Sequence, residues 1–228
     1  MKSERIPVKS FSADNGFIGK MQKLVREEVL PYQYNILNDA IPGIEKSHAI
    51  ENIRLAAEKL RGKDVKPDEF YGMVFQDSDV AKWIEAAAYA LAAGEDPELE
   101  KAVDETIQLY GASQHEDGYV DSYFTVKCPD KMWTNICDAH ELYCAGHMME
   151  AAVAYYEVTG KRELLDIMSK SADCIYEQFM KKNTRAYPGH PEVELALMRL
   201  WRATGNEKYK ELAKHFVDVR VFFFMNCS

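Results

Sequence analysis

The sequence predicts an all-α protein whose helices are arranged as antiparallel hairpins. Apolar residues recur at helical spacing along most of the 228 residues, and glycines typical of helix ends recur between them. Strand-type alternation is nowhere sustained, with one brief exception at 119–126. One hairpin cannot bury both of its faces, so successive units are expected to pack side by side as an α-solenoid or a closed α/α toroid.

Four helices and one long irregular stretch are predicted in the first half of the chain. The first helix is expected to stop at Pro31, and the second at Gly62, a natural C-cap. The third opens on acids and a serine that favour N-caps, and the fourth begins with Pro97 followed by acids. The predicted helices cover 15–30, 46–62, 77–96 and 96–114, and the irregular stretch covers 116–135.

The second half is predicted to contain four helical runs and an internal repeat. The stretch Tyr155–Asp173 aligns with Leu200–Asp218, and both contain a Thr-Gly joint. A looser third copy is Tyr89–Ile107. A repeat of about 45 residues suits either architecture. The four runs cover 136–159, 162–181, 191–204 and 207–220.

Composition indicates a soluble cytoplasmic protein. The formal net charge is −9 and no basic stripe is present, so nucleic acid is not an expected partner. No apolar run approaches the ~20 residues of a membrane span, and no secretory signal is visible. The five cysteines form no CxxC pair, which favours reduced thiols.

Three segments are expected along the chain: an N-terminal arm over 1–14, a helical domain over 15–220, and a tail over 221–228. The tail sequence "VFFFMNCS" is rich in large apolar residues and shows no amphipathic period. Native C-termini rarely expose such a patch. We therefore interpret 221–228 as an atypical, non-native tail; the alternative is a segment that docks into a groove.

The stretch Ile136–Ala152 places four ligand-type residues on one stripe of the predicted helix. Cys137 and His147 would lie ~15 Å apart along the helix, so these residues cannot all bind one zinc ion. A two-residue contribution, such as His140 with Cys144, stays open. An apolar context disfavours a thiolate at Cys144, which argues against a catalytic cysteine. The structural alternative is a set of core residues with hydrogen-bonded histidines.

Polar and aromatic residues elsewhere indicate a carbohydrate cleft. His190 lies at a helix N-terminus, where a neutral imidazole that both donates and accepts is favoured. The stretch 75–79 combines Phe75 with an amide and carboxylates, and 117–124 is similar in composition. Sugar rings stack on aromatic faces while their hydroxyls require donors and acceptors. The alternative roles are N-capping for Asp77 or Ser78 and dipole matching for Glu192 and Glu194.

Four segments together resemble glycoside hydrolase family 127, the bacterial β-L-arabinofuranosidases and their relatives. They are "EFYGMVFQDSDVAKWIEAAAYAL", "DGYVDSYFTV", "WTNICDAHELYCAGHMMEAAVAYYEVTGKRELLDI" and "YPGHPEVELALMRLWRATG", within Gly16 to Arg220. The resemblance implies the early part of an (α/α)6 barrel, followed in complete members by β-sandwich domains. It also implies a retaining mechanism with a cysteine nucleophile and a glutamate acid/base at a zinc ion.

The resemblance carries only sugar-pocket residues over to this chain. In the family, zinc is held by one glutamate and three cysteines late in the barrel, and no cysteine here lies in a matching motif. We therefore expect no catalytic residue, metal ligand or cofactor in this chain, and zinc in complete members. The expected sugar-binding residues are His147, His190, Phe75, Gln76, Asp77 and Asp79, with His140, Tyr119, Trp133 and Glu192 as further candidates.

The expected function is that of an N-terminal fragment of a retaining glycosidase acting on β-L-arabinofuranosides, inactive alone. An incomplete barrel would expose an apolar edge, through which the chain is expected to self-associate. The alternative is a non-catalytic α/α-repeat module that binds carbohydrate or protein. A weaker alternative is another α/α-toroid enzyme, such as an epimerase or unsaturated-uronide hydrolase, for which we find no convincing acid/base pair.

Overall fold

The computed structural model describes residues 6–11, 13, 16–182, 184 and 186–226, with side chains described as far as Phe222. Much of the predicted N-terminal arm, and the side chains of 223–228 in the predicted tail, therefore lie outside the described residues. Within the described ranges all regular secondary structure is helical, which confirms the all-α prediction. None of the described helices is both long enough and apolar enough to cross a membrane.

Ten α-helices are present in the described part of the chain. A π turn, Val25–Val29, joins the first two helices, and a second, Glu177–Lys181, extends the eighth. The helices are α1 (Gly16–Leu24), α2 (Leu30–Leu37), α3 (Ala49–Leu60), α4 (Asp77–Ala93), α5 (Pro97–Ala112), α6 (Ser122–Lys127), α7 (Glu141–Thr159), α8 (Glu163–Tyr176), α9 (Glu192–Thr204) and α10 (Glu207–Asn226).

The helices pair as α4–α5, α7–α8 and α9–α10, and the pairs pack side by side in the manner of an α/α toroid. Helix α7 lies between α4 and α9. Gly160 and Gly205 end α7 and α9 in the left-handed conformation, with φ of 78° and 74°. The predicted glycine-capped hairpins are therefore confirmed at both Thr-Gly joints.

Helix α7 is the centre of the core. Fourteen of its nineteen residues are buried, including Leu142, Met148 and Tyr155. A helix that is apolar on nearly all sides is stable only when neighbours cover it. Helix α9 comes close to α7 at Gly146, since a methyl group there would lie 3.0 Å from the Val193 amide nitrogen of α9.

Pro31 does not stop the first helix as the sequence predicts. It is the second residue of α2, and the helix continues to Leu37. A proline lacks the N–H of a normal helical residue and its ring clashes with the carbonyl four residues earlier. The preceding turn widens to π geometry, in which the Leu30 N–H donates to the Val25 carbonyl, and a widened turn accommodates the ring.

Two other predicted helix boundaries and the strand-type stretch at 119–126 differ from the structure. Helix α7 begins at Glu141 rather than 136, because His140 is left-handed with φ of 63°. The stretch 119–126 forms no strand; Asp121 caps α6 by accepting from the Phe124 N–H. Helix α10 continues past Arg220 to Asn226. The interpretation of 221–228 as a non-native tail stays a prediction.

Replacing Gly146 with alanine is expected to separate α7 from α9. The added methyl would meet Glu192 Cγ at 2.9 Å and the Val193 backbone at 3.0–3.1 Å, so the backbone of α9 must move. We expect the free energy of unfolding to fall by about 1–3 kcal/mol in urea titrations followed by circular dichroism.

Gly111→Ala is the matched control, because a methyl group at that helical position meets only the flexible end of Ile167. Removing a helix-interior glycine there should leave stability unchanged or raise it by up to about 1 kcal/mol. Equal stability of the two variants would contradict the close-approach interpretation.

Candidate functional site

The N-termini of α4, α7 and α9 lie at one end of the helix array, and the loops before α7 and α9 are tied together. The Gly189 N–H donates to the Cys137 carbonyl across 3.1 Å. That carbonyl leaves no room for a side chain at Gly189. As a result the His140 and His190 rings lie side by side, with centroids 5.2 Å apart.

Tyr143 is the hub of a cluster of aromatic rings at this end. Its centroid lies 4.4 Å from that of His147, 5.0 Å from that of His190 and 5.6 Å from that of His140. Phe75 extends the cluster, with its ring centroid 5.3 Å from His140. The structure thus brings Phe75 and the three predicted histidines together around Tyr143. We call these five residues, Phe75, His140, Tyr143, His147 and His190, the histidine cluster.

Lys82 of α4 reaches the histidine cluster from the side. Its ammonium group donates to the Ser78 hydroxyl and to the Tyr143 hydroxyl, each at 3.0 Å. The lysine and His190 are exposed, while Tyr143 and His147 are partly buried. The site therefore has a polar, solvent-accessible face.

His147 and Glu192 face each other with Nδ1 and Oε1 3.3 Å apart, and each side chain is 18% exposed. Burial, aided by the nearby positive charge of Lys82, lowers the pKa of His147 to about 4. Burial, aided by the charges of Glu150 and Glu85, raises the pKa of Glu192 to about 7. At neutral pH His147 is uncharged, so one ring nitrogen donates and the other accepts.

Arg199 ties the three helices together beside this pair. Its guanidinium donates to Glu85 of α4 at 3.0 Å, to Glu150 of α7 at 2.5 Å and to the Tyr89 hydroxyl at 3.1 Å. Arg199 itself belongs to α9, so one side chain fixes the spacing of all three helices.

None of the three residues Gln76, Asp77 and Asp79 forms a hydrogen bond with an imidazole ring among the described residues. Gln76 accepts from the Met73 N–H at 3.0 Å and donates to the Ser47 hydroxyl at 3.2 Å, which fixes the loop before α4. Asp79 is partly buried, and burial raises its pKa.

Asp77 is buried at the first position of α4. It accepts from the Ser122 N–H at 2.8 Å and from the Ser122 hydroxyl, which joins α4 to α6. Burial raises the pKa of this carboxyl. The predicted N-capping role is wrong, because Gln76 occupies the N-cap position and no side chain caps this helix.

Tyr119 and Trp133 lie behind the start of α7 and share one buried carboxyl. The Tyr119 hydroxyl donates to Glu141 Oε1 at 2.7 Å, and the backbone N–H of Trp133 donates to the same oxygen at 3.0 Å. Trp133 has a φ of 62°, an uncommon value for a bulky residue. The bond to Glu141 therefore holds a strained backbone conformation in place.

The four ligand-type residues of the opening stripe do not share one helix face. Cys137 is exposed and precedes α7 together with His140, whereas Cys144 is buried inside the helix. Burial raises the pKa of the Cys144 thiol far above its usual range, as its apolar surroundings predict. No group of three His, Cys, Asp or Glu side chains among the described residues is arranged to hold a metal ion.

Sequence reasoning missed Tyr143, Lys82 and Arg199. Tyr143 lies three residues after His140 and four before His147, a spacing that places it on the same helix face. That spacing was available in the sequence. The approach of Lys82 and Arg199 depends on contacts between helices, for which the sequence carries no local signal.

A sequence model of the family described as β-L-arabinofuranosidase, GH127 catalytic domain, matches residues 12–224. The chain belongs to this family. The family resemblance is therefore confirmed.

Individual β-L-arabinofuranosidases are also similar to this chain in sequence and in structure. A non-reducing end β-L-arabinofuranosidase of Bifidobacterium longum subsp. longum is 41% identical over 214 residues, which cover 85% of this chain and 31% of that protein. A GH127 β-L-arabinofuranosidase structure from Geobacillus stearothermophilus T6 has a TM-score of 0.82 and 51% identity, covering 90% of this chain and 32% of that one.

A second GH127 structure, of a β-arabinofuranosidase, has a TM-score of 0.83 and 31% identity and covers 95% of this chain and 34% of that one. A further glycoside hydrolase, 23% identical with a TM-score of 0.60, shares the fold. The chain thus spans about a third of the length of the family members it matches. The incomplete α/α toroid predicted from the sequence agrees with this partial coverage.

Glu141 is expected to make stability depend on pH. Burial raises its pKa from 4.5 to about 6, so the folded chain holds this proton more tightly than the unfolded chain. The stability that the protonated Glu141 carboxyl contributes below pH 4.5 is therefore lost as the pH rises to 6. Between these values the free energy of unfolding should fall by roughly 2 kcal/mol more in the wild type than in Glu141→Gln.

Urea titrations at several pH values test this, and Tyr119→Phe provides the matched variant. The Tyr119 hydroxyl favours the carboxylate, so its removal should raise the pKa of Glu141 and extend the loss to higher pH. If the free energy of unfolding depends on pH in the same way in the wild type and in Glu141→Gln, this carboxyl is not the source of the pH dependence.

Proposed function

We propose that this chain is the N-terminal part of the catalytic domain of a retaining glycosidase acting on β-L-arabinofuranosides, and that it supplies sugar-binding side chains. The observation that carries this proposal is the histidine cluster at the N-termini of α4, α7 and α9. The names of the two closely matching relatives above, both β-L-arabinofuranosidases, support the same sugar class.

The chemistry of the histidine cluster suits a neutral, hydroxyl-rich ligand. His147 is uncharged at neutral pH and both donates and accepts, which matches hydroxyl groups better than ionised ones. Phe75 and Tyr143 offer ring surfaces for the apolar face of a sugar. In this proposal His147 and His190 contact the sugar, and His140 and Glu192 lie at its margin.

Bond cleavage is proposed to require groups outside the described residues. The Cys144 thiol is buried with a raised pKa, and only the thiolate is a nucleophile. On this proposal the 228-residue chain binds sugar but does not hydrolyse glycosides.

Titration with methyl β-L-arabinofuranoside is expected to shift the NMR signals of His147 and His190. The signal of His215, in α10, should not move, which controls for non-specific effects. His147→Ala and His190→Ala should each weaken binding by about threefold to tenfold, the loss of one hydrogen bond. An aryl β-L-arabinofuranoside should give no product; turnover blocked by a thiol reagent at Cys144 would refute this part of the proposal.

We also propose that the chain self-associates through the apolar edges of its helix array. Phe17 of α1 is 72% exposed and Phe222 of α10 is 57% exposed. Ile18 and Leu24 extend the first patch, and Val221 extends the second. Large exposed apolar patches promote association because contact removes them from water.

Sedimentation velocity on the variant Phe17→Ser/Phe222→Ser is expected to show a smaller species than the wild type at equal concentration. Met73→Ser is the control, since Met73 is 61% exposed but lies in the loop before α4. A wild-type chain that sediments as a monomer would contradict self-association.

A further inference from the structure

We infer that Tyr143 and Lys82 together bind one hydroxyl group of the sugar and so make binding depend on that hydroxyl. The inference rests on the proposed sugar binding and adds two residues to it. It follows from the donor proton that each of the two side chains has without an acceptor, from their fixed positions and from the charged groups around them.

Tyr143 has an unused proton. Its hydroxyl oxygen accepts from Lys82 at 3.0 Å, and its own O–H donates to no acceptor among the described residues. The contacts with the three histidines hold its ring, so the hydroxyl cannot turn away freely. The O–H is therefore available to a ligand at a defined position.

Lys82 also has one unused proton. An ammonium group has three donors, of which two go to Ser78 and Tyr143. Although Asp79 and Glu85 are close in sequence, Lys82 forms no ion pair within the described ranges. Two hydroxyl groups thus orient this exposed lysine towards the histidine cluster.

One ligand oxygen satisfies both donors. The Lys82 nitrogen and the Tyr143 oxygen are 3.0 Å apart, so an oxygen at hydrogen-bond distance from both completes a small triangle. A sugar hydroxyl has two lone pairs for these donors and one proton to give. The neutral ring of His147, whose centroid lies 4.4 Å from that of Tyr143, provides an acceptor for that proton.

The surrounding charges favour a hydroxyl over an anionic group. The carboxyls of Asp79 and Glu192 lie close enough to Lys82 for its charge to lower their pKa values, which burial otherwise raises. These carboxylates would repel an anionic ligand, whereas they would not repel a neutral hydroxyl group. The pair is therefore suited to a neutral sugar, in which the presence of one hydroxyl group strengthens binding.

The test compares methyl β-L-arabinofuranoside with its three monodeoxy analogues, lacking the 2-, 3- or 5-hydroxyl. Binding to the full 228-residue chain is measured by NMR titration for the wild type, Tyr143→Phe and Lys82→Met. Tyr32→Phe, an exposed tyrosine of α2, and Lys101→Met, an exposed lysine of α5, are the matched controls.

We expect one analogue to bind the wild type about threefold to tenfold more weakly than the parent sugar. Tyr143→Phe should bind the parent sugar more weakly than the wild type does, by a similar factor. It should bind that analogue as tightly as the wild type does, because the interaction between the tyrosine and the sugar hydroxyl is already lost when either group is removed. Lys82→Met should show the same pattern, and the controls should match the wild type.

Two results would overturn the inference and are distinguishable. If the wild type binds the parent sugar and Tyr143→Phe shows the same preferences among the four sugars, the two residues do not bind a hydroxyl. If the folded wild type binds none of the four sugars, the proposed function fails and this inference with it. Tyr143→Phe keeps the ring that packs on the histidines, so a folded variant is expected.

Discussion

The close approach of α7 to α9 at Gly146 is the constraint on which the candidate site depends. Only a residue without a side chain lets the Val193 backbone come this near. The next residue along α7 is His147, and the residue before Val193 is Glu192, so the same approach places those two side chains within 3.3 Å of each other. The geometry of the candidate site therefore depends directly on how α7 and α9 pack in the core.

The hairpin architecture could be predicted because its signals are local. Thr159 and Gly160 end a helix through the left-handed conformation that glycine adopts at little cost, and the same occurs at Gly205. Pro31 misled prediction because a π turn accommodates it, and nothing in the sequence marks such a turn. The start of α7 was misplaced because a histidine, rather than a glycine or asparagine, occupies the left-handed position before it.

The candidate site was predicted in part. His140, His147, His190 and Phe75 do converge, because the motifs that contain them precede or open helices whose N-termini meet. Asp77 and Gln76 proved to hold loops, since their bonds go to Ser122 and Ser47. A short polar motif does not reveal which of its side chains turn inward, because that depends on the neighbouring loop.

Arg199 has a consequence for how the chain tolerates substitution. Its guanidinium contacts one residue of α7 and two of α4 from a position on α9, so these four side chains share one set of hydrogen bonds. Removing Arg199 would leave the Glu85 and Glu150 carboxylates without their shared positive charge in a partly buried place. A substitution at Arg199 is therefore expected to be better tolerated when Glu85 and Glu150 are replaced by neutral residues at the same time.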